Sequence, residues 1–402
     1  MPIVKVPSEQ LEIGMYVSSL DRPWSETPFE FQGFEIRNTH ELVELQRLTD
    51  HVFIIVPDEE IELYGADSVK EVRPYTDFIG HVDYELENTA AEEIEAVHES
   101  HEEIVDLVAD VEQMAATDGA LNTQRVGRAI DVMVSSVTSN PDAFIWLSQI
   151  KHFDSYIYRD SLNSAVWAAA IGRELGMRPE HLQMLATGAM LMDVGKTKLT
   201  RELLNKSTRL DRHEWDAMKA HVGYSVEILE HSSNIPLEVI EMVRTHHERM
   251  DGSGYPNALR KGQIPLFGQI AGIVDFYVSV TSPRPYAPVV APTVATEMLY
   301  EQKGRHFDEM LVQAFIKVLN TFPTGSLVEL SSGEVGIVLS QNPRSRLRPT
   351  VVLLLDPNKL PLDTEQVIDL AARTENREND PLVVAKSLPD GAFGLNIDQI
   401  HL

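Results

Sequence analysis

From about residue 120 to 320, nearly every window repeats apolar side chains at helical spacing, which sets the class as a helical bundle around a shared interior. Inside those apolar runs sit groups that a hydrocarbon interior rejects. "LMDVGKTKL" puts Asp193 where the run "LQMLATGAMLM" ends, and "AGIVDFYVSV" embeds Asp275. "KAHVGYSVEIL" places His221 on the apolar side of a helix, and "LEVIEMVRT" runs straight into His246 and His247. A buried carboxylate is costly unless it is paired or bound to a metal. Two such acids and three such imidazoles are most simply reconciled by a shared cation. Taken singly, each has another explanation: a satisfied core histidine at 221, a turn cap at 193, a helix-end acceptor at 275. Spacing alone leaves both explanations open. If a metal is held, three imidazoles and a carboxylate suit a divalent transition ion such as Fe, Mn, Ni or Zn.

Composition narrows the chemistry. The chain has 402 residues and no cysteine, so thiolate sites, disulfides and cysteine nucleophiles are excluded, and His, Asp and Glu remain as strong ligands. The net charge of −28 argues against nucleic acid as a partner, because a duplex binder needs positive potential to displace counterions. An anionic ligand stays allowed where a metal or basic cluster reverses the local sign. The start, "MPIVKVPSEQLEIGMYV", lacks the basic flank and apolar core of a signal peptide, and no run reaches the roughly 20 apolar residues that span a bilayer. A soluble, cytoplasmic protein with no membrane partner is expected.

Four segments are expected: a β-containing module over 1–85, a linker helix over 86–118, a helical domain over 119–322, and a C-terminal extension over 323–402. "IVKVPS" and "VFIIVP" read as strands. Trp24, Phe29, Phe31 and Phe34 read as the core of that module, with a partner-facing patch as the alternative. "NTAAEEIEAVHESHEEIVDLVADVEQM" reads as one amphipathic helix opened by a Thr89–Glu92 capping box, and is compatible with a homodimer. His98 and His101 on it read as a solvated face. "GSLVELSSGEVGIVLSQ" is a hairpin signal and "RPTVVLLLD" a third strand, with Arg344, Arg346 and Arg348 in the loop between them.

The order of "DVGK", "KAHVGYSVEIL", "THHERMDGSGYP" and "VDFYVSVTSPRPY" resembles the HD-GYP family of metal-dependent phosphohydrolases that open cyclic di-GMP. The resemblance covers roughly residues 150–320, and the flanking parts resemble a recurrent bacterial architecture. It implies a mainly α protein: an HD-type helical bundle with a small N-terminal β-containing module and a short C-terminal β-hairpin extension. It further implies that a metal-activated water attacks a phosphodiester. Asp193 matches the acid that bridges two metals; His221, His246 and His247 match the histidines of one metal position, and Asp275 the distal acid of the other. Lys196 matches the lysine that neutralises substrate phosphate, and Arg284 and Tyr286 match residues beside the nucleotide. Gly252, Gly254, Tyr255 and Pro256 match the loop that names the family, which shapes the pocket mouth or meets a signalling protein.

The chain departs from the pattern at four places. Met192 stands where the namesake histidine is expected, Asn163 where an upstream histidine is, and Arg159 where three-metal members carry a glutamate. Val278 replaces a second acid one turn after Asp275. A thioether, an amide and a guanidinium are poor ligands for such ions. One ion rather than two is therefore expected, with hydrolysis absent or weak and binding of cyclic di-GMP, a related nucleotide or a partner as the main role. Arg159 is the expected partner for Asp275. The alternatives are an active phosphodiesterase giving pGpG or GMP, and an inert interaction scaffold.

Overall fold

The computed structural model describes residues 3–21, 27, 29, 34–55, 69–70, 78–117, 121–150, 156–282, 289–342, 345, 347–372, 382–389 and 391–395. The chain opens with strands β1 (Ile3–Pro7), β2 (Tyr16–Leu20) and β3 (Phe34–Glu35), helix α1 (Thr39–Leu48), then β4 (His51–Ile55) and β5 (Val69–Lys70). They form an antiparallel sheet in the order β3-β2-β4-β1-β5. The register pairs Val4 with Ile54 and Val6 with Val52, so β-branched side chains share one face and meet Leu45 of α1. Phe29 packs against this core; Trp24, Phe31 and the side chain of Phe34 lie outside the described residues.

Helix α2 (Ala90–Thr117) begins as its sequence signalled, with Thr89 N–H donating to Glu92 Oε2 at 2.9 Å and Glu92 N–H to Thr89 Oγ1 at 3.3 Å. Its apolar stripe of Val97, Ile104, Leu107 and Val111 enters the main core. His98 is exposed, but His101 corrects the solvated-face reading: it is fully buried, edge-on to Phe144 at 5.3 Å. A position three residues from an exposed one still turns inward where the apolar stripe is wide.

The bundle continues with α3 (Thr123–Ser139), α4 (Pro141–Ile150), α5 (Tyr156–Glu174), α6 (Pro179–Leu191), α7 (Arg201–Leu204), α8 (Arg212–Lys219) and α9 (His221–Glu230). It closes with α10 (Leu237–Thr245), α11 (Leu266–Thr281), α12 (Pro292–Glu301) and α13 (Glu309–Leu319). Trp146, Trp167, Phe144 and Phe315 anchor its interior. Among the described residues no helix is long and apolar enough to cross a membrane.

The C-terminal hairpin is real, as β6 (Leu327–Leu330) and β7 (Val335–Ser340), but it is the middle of a larger sheet. With β8 (Thr350–Leu355), β9 (Pro361–Asp369) and β10 (Val384–Leu388) it forms five antiparallel strands ordered β10-β6-β7-β8-β9. A lone hairpin is marginal in water, and β10 and β8 pair its two edges. Leu327, Ile337 and Leu339 join the helical core, whereas Val328, Leu330 and Val338 join a second cluster with Val351 and Ile368. Asp142 of α4 ties sheet to bundle by accepting from Thr324 Oγ at 2.6 Å and Gln341 N–H at 2.9 Å.

Candidate metal centre

Asp193 follows the last turn of α6, and a 3-10 turn over Val194–Lys198 carries the chain back past it. This turn lies close on the start of α9 because residue 195 is glycine. A Cβ there would stand 2.2 Å from the His221 carbonyl oxygen and 2.4 Å from the Ser225 nitrogen. Ser225 fastens the contact at both ends: its Oγ accepts Gly195 N–H at 2.8 Å and donates to the Met192 carbonyl at 2.8 Å. Asp193, Lys196 and His221 are therefore held in one place by backbone contacts. Sequence reasoning missed Ser225, and a serine on a buried helix face facing a required glycine is the signal that marks it.

His246 and His247 end α10, which lies against α11 through two further glycines. A Cβ on Gly268 would fall 2.0 Å from Thr245 Oγ1, and one on Gly272 would fall 2.8 Å from the His246 carbonyl oxygen. That close approach delivers Asp275, one turn beyond Gly272, to His247: Nδ1 and Asp275 Oδ2 are 3.3 Å apart. The expected Arg159–Asp275 pair is not what forms, since among the described residues no ion pair joins them and His247 takes the carboxylate. Small residues on the α10–α11 seam make His247 the nearer partner.

One ligand atom each from Asp193, His221, His246 and His247 falls within 4.8 Å of the other three. The two buried rings are aimed by backbone. His221 Nδ1 donates to the Met218 carbonyl and His246 Nδ1 to the Val243 carbonyl, both at 2.7 Å. A carbonyl only accepts, so the hydrogen is on Nδ1 and Nε2 faces inward. His221 Nε2 lies 3.2 Å and His246 Nε2 3.9 Å from Asp193 Oδ1, yet these three buried atoms have no hydrogen-bond partner. Converging buried acceptors without hydrogen-bond partners fit a cation, and this donor set suits a transition metal.

Charge states agree. Burial opposes ionisation of Asp193, but the Lys196 ammonium, 2.6 Å from Oδ2, and the neighbouring histidines hold its carboxyl well below the usual range. Burial pushes His246 far down, and pushes His247 down to about 4 against the pull of Asp275. Burial likewise opposes ionisation of Asp275, and His247 outweighs it, holding the carboxyl low. Around neutral pH His246 and His247 are neutral and both acids are ionised, the states a metal ligand requires.

The departures from the pattern occupy different surroundings. Met192 is buried in the apolar core, as is Val278. Asn163 is buried with its Oδ1 unpartnered, and Arg159, one turn before it on α5, has a buried Nε without a partner. Arg284 and Tyr286 lie outside the described residues.

Residues 131–311 match the HD domain family, residues 3–132 a domain of unknown function (DUF3391), and residues 327–376 a KOW domain associated with HD domain. The chain is 28% identical over 379 residues to the cyclic di-GMP phosphodiesterase PA4108 of Pseudomonas aeruginosa, covering 91% of this chain and 88% of that one. It is 35% identical over 159 residues to the 3'3'-cGAMP-specific phosphodiesterase 2 of Vibrio cholerae, covering 39% of this chain and 30% of that one. It is also 34% identical over 167 residues to the cyclic di-GMP phosphodiesterase response regulator RpfG of Xanthomonas campestris, covering 40% of this chain and 44% of that one. The HD domain and these relatives support membership of the HD-GYP family.

The loop that gives HD-GYP proteins their name folds back on the candidate ligand His247 here. Gly254 has no room for a side chain: a Cβ would meet the Arg249 nitrogen at 2.4 Å and the His247 carbonyl oxygen at 2.5 Å. Gly252 takes φ +79, a left-handed conformation glycine adopts freely. Glu248, buried directly after His247, accepts N–H groups of Asn257 at 2.7 Å and Leu259 at 2.9 Å and so pins the loop. Tyr255 N–H donates to the His247 carbonyl at 3.2 Å, and its ring lies over His247 at 4.6 Å and 30°. Pro256 follows at the exposed rim. Tyr16 of β2 packs against Met250, Leu259 and Ile264, so the N-terminal sheet rests on this loop. Glu248 and Tyr16 carried no sequence signal of their own.

Proposed function

We propose that this protein acts in cyclic di-GMP signalling as an HD-GYP member that keeps one metal position and has lost the other. Asp193, His221, His246 and His247 hold a single divalent transition ion; Met192, Asn163 and Arg159 leave its neighbour without ligands. The observation carrying this reading is the convergence of Asp193 Oδ1 with two backbone-aimed Nε2 atoms that have no other partner. When bound, the ion supplies a Lewis acid that acidifies water and polarises a phosphate oxygen.

The residues of this chain then divide the remaining work. Lys196, hydrogen-bonded to Asp193 and nearly buried, offers a compact cation to a phosphate that displaces part of that pairing. Asp275 keeps the His247 ring oriented. Arg284 and Tyr286 contact the nucleotide, and Gly252, Gly254, Tyr255 and Pro256 shape the mouth. In-line attack needs the nucleophile fixed and the leaving oxygen stabilised together, which a paired-metal site does and a single position does not. Phosphodiesterase activity is therefore absent or weak, and nucleotide or partner binding is the main role.

Elemental analysis beside a hydrolysis assay tests this. Purified protein should carry about one equivalent of metal and yield little or no pGpG or GMP from cyclic di-GMP with manganese or ferrous iron. The double change Asn163→His with Met192→His should raise the metal content; because Met192 packs in the core, the new ring must turn out of it, and no gain would count heavily against the lost-ligand reading. A second reading, an active phosphodiesterase, is favoured by the near full-length likeness to a protein named as one. Rapid turnover would establish it. No bound metal would leave the bundle as scaffold.

A further inference from the structure

Among the described residues, the tryptophans differ sharply: Trp146 and Trp167 are wholly buried, whereas Trp215 is 47% exposed. Trp215 is on the polar helix α8, which is held to the bundle by another residue, Met218. The helix is nonetheless firmly set. Asp211 and Glu214 form a reciprocal capping box, and Lys206 pairs with Glu214. A large indole left in water on a fixed helix gains little for folding.

Among the described residues, the ring beside Trp215 is that of Tyr255. Trp215 meets Tyr255 edge-on at 6.0 Å and 79°, and Tyr255 in turn covers His247. The three rings make a continuous aromatic path from a metal ligand out to solvent. Met218, whose carbonyl aims His221, is one turn further along the same helix, so the indole is rigidly tied to the metal centre. In a nucleotide, one ribose separates phosphate from base. Asp193 lies within 4.8 Å of His247 at the inner end of this path, with Lys196 2.6 Å from it, so a phosphate bound there would have its base one ribose away.

Resting on the nucleotide-binding reading above, we propose that Trp215 is the stacking platform for a purine base of the bound cyclic dinucleotide, with Tyr255 as the lower rung. It is a specificity residue for purine over bare phosphodiester. An indole face is large and tolerant of either purine, so it selects the base class without separating guanine from adenine.

Calorimetric titration of the full chain with cyclic di-GMP, with 3'3'-cGAMP and with dimethyl phosphate tests this. Trp215→Ala should weaken both dinucleotides by about ten-fold while leaving dimethyl phosphate and metal content unchanged; Trp215→Phe should restore most of the loss. Unfolding midpoints within a degree or two of the parent would show the fold intact. Equal dinucleotide affinity in parent and Trp215→Ala overturns the platform while sparing the reading beneath it, and would assign the indole to a protein partner. Failure of the parent to bind either dinucleotide sinks the reading and the platform together.

Discussion

Helices α10 and α5 both pack on α6, whose end carries Asp193, and α9 packs on the turn that follows. On the α9–α10 side, His221 and His246 spend Nδ1–H on backbone carbonyls and turn Nε2 inward. On the α5 side, Asn163 offers a buried amide oxygen and Arg159 a cation. Burial is similar at His246 and Asn163, yet only one wall presents lone pairs that a transition ion prefers. Polar burial is therefore not by itself a metal signature. What separates the walls is ligand type, imidazole nitrogen against amide oxygen and guanidinium, with backbone acceptors fixing the tautomer of the two imidazoles.

The largest effect should come from breaking the better wall. His246→Ala is expected to reduce bound metal to background in elemental analysis, whereas Asn163→Ala should leave it unchanged; equal losses would erase the distinction between the walls. Next comes Gly195→Ala, whose Cβ meets backbone rather than a yielding side chain. It should cost about 3 kcal/mol in urea unfolding and loosen metal binding with it.

Acid should act on the same wall in the metal-free protein. The folded His247 ring is held down to about 4, against an unfolded value near 6.5. The unfolded chain takes up the proton first, so stability should fall as pH drops from about 6.5 to 4, by on the order of 2 kcal/mol. Asp193 and Asp275, also held low, extend the loss further into acid. In chelator-treated protein, His247→Gln should flatten the upper part of that slope; an unchanged slope would remove His247 from the account. The smallest expected change is Ser225→Ala, which frees the Gly195 N–H and the Met192 carbonyl. About 1 kcal/mol should be lost in thermal unfolding, with metal affinity reduced a few-fold.

Much of this is legible in the sequence. The helical period announced the bundle, Thr89 with Glu92 announced the start of α2, and the histidines and acids inside apolar runs announced the cluster. Where the reading fell short, the missing information was a through-space neighbour. His101 looked solvated because its sequence neighbours are acids, but Phe144 covers it. Asp275 was assigned to Arg159, and the α10–α11 seam gave it to His247. The C-terminal hairpin carried its own turn signal, whereas β9 and β10 are strands because of what lies beside them. Trp215 on a polar helix says nothing until Tyr255 is found next to it.

The order of residues along the chain thus determined which side chains had to be buried and what chemistry they could offer, because hydrophobic spacing and ligand type are properties of the string itself. Folding alone decided which lone pairs face one another. That depends on glycines 195, 268 and 272 drawing together helices distant in sequence, and on carbonyls of Met218 and Val243 turning two imidazoles inward.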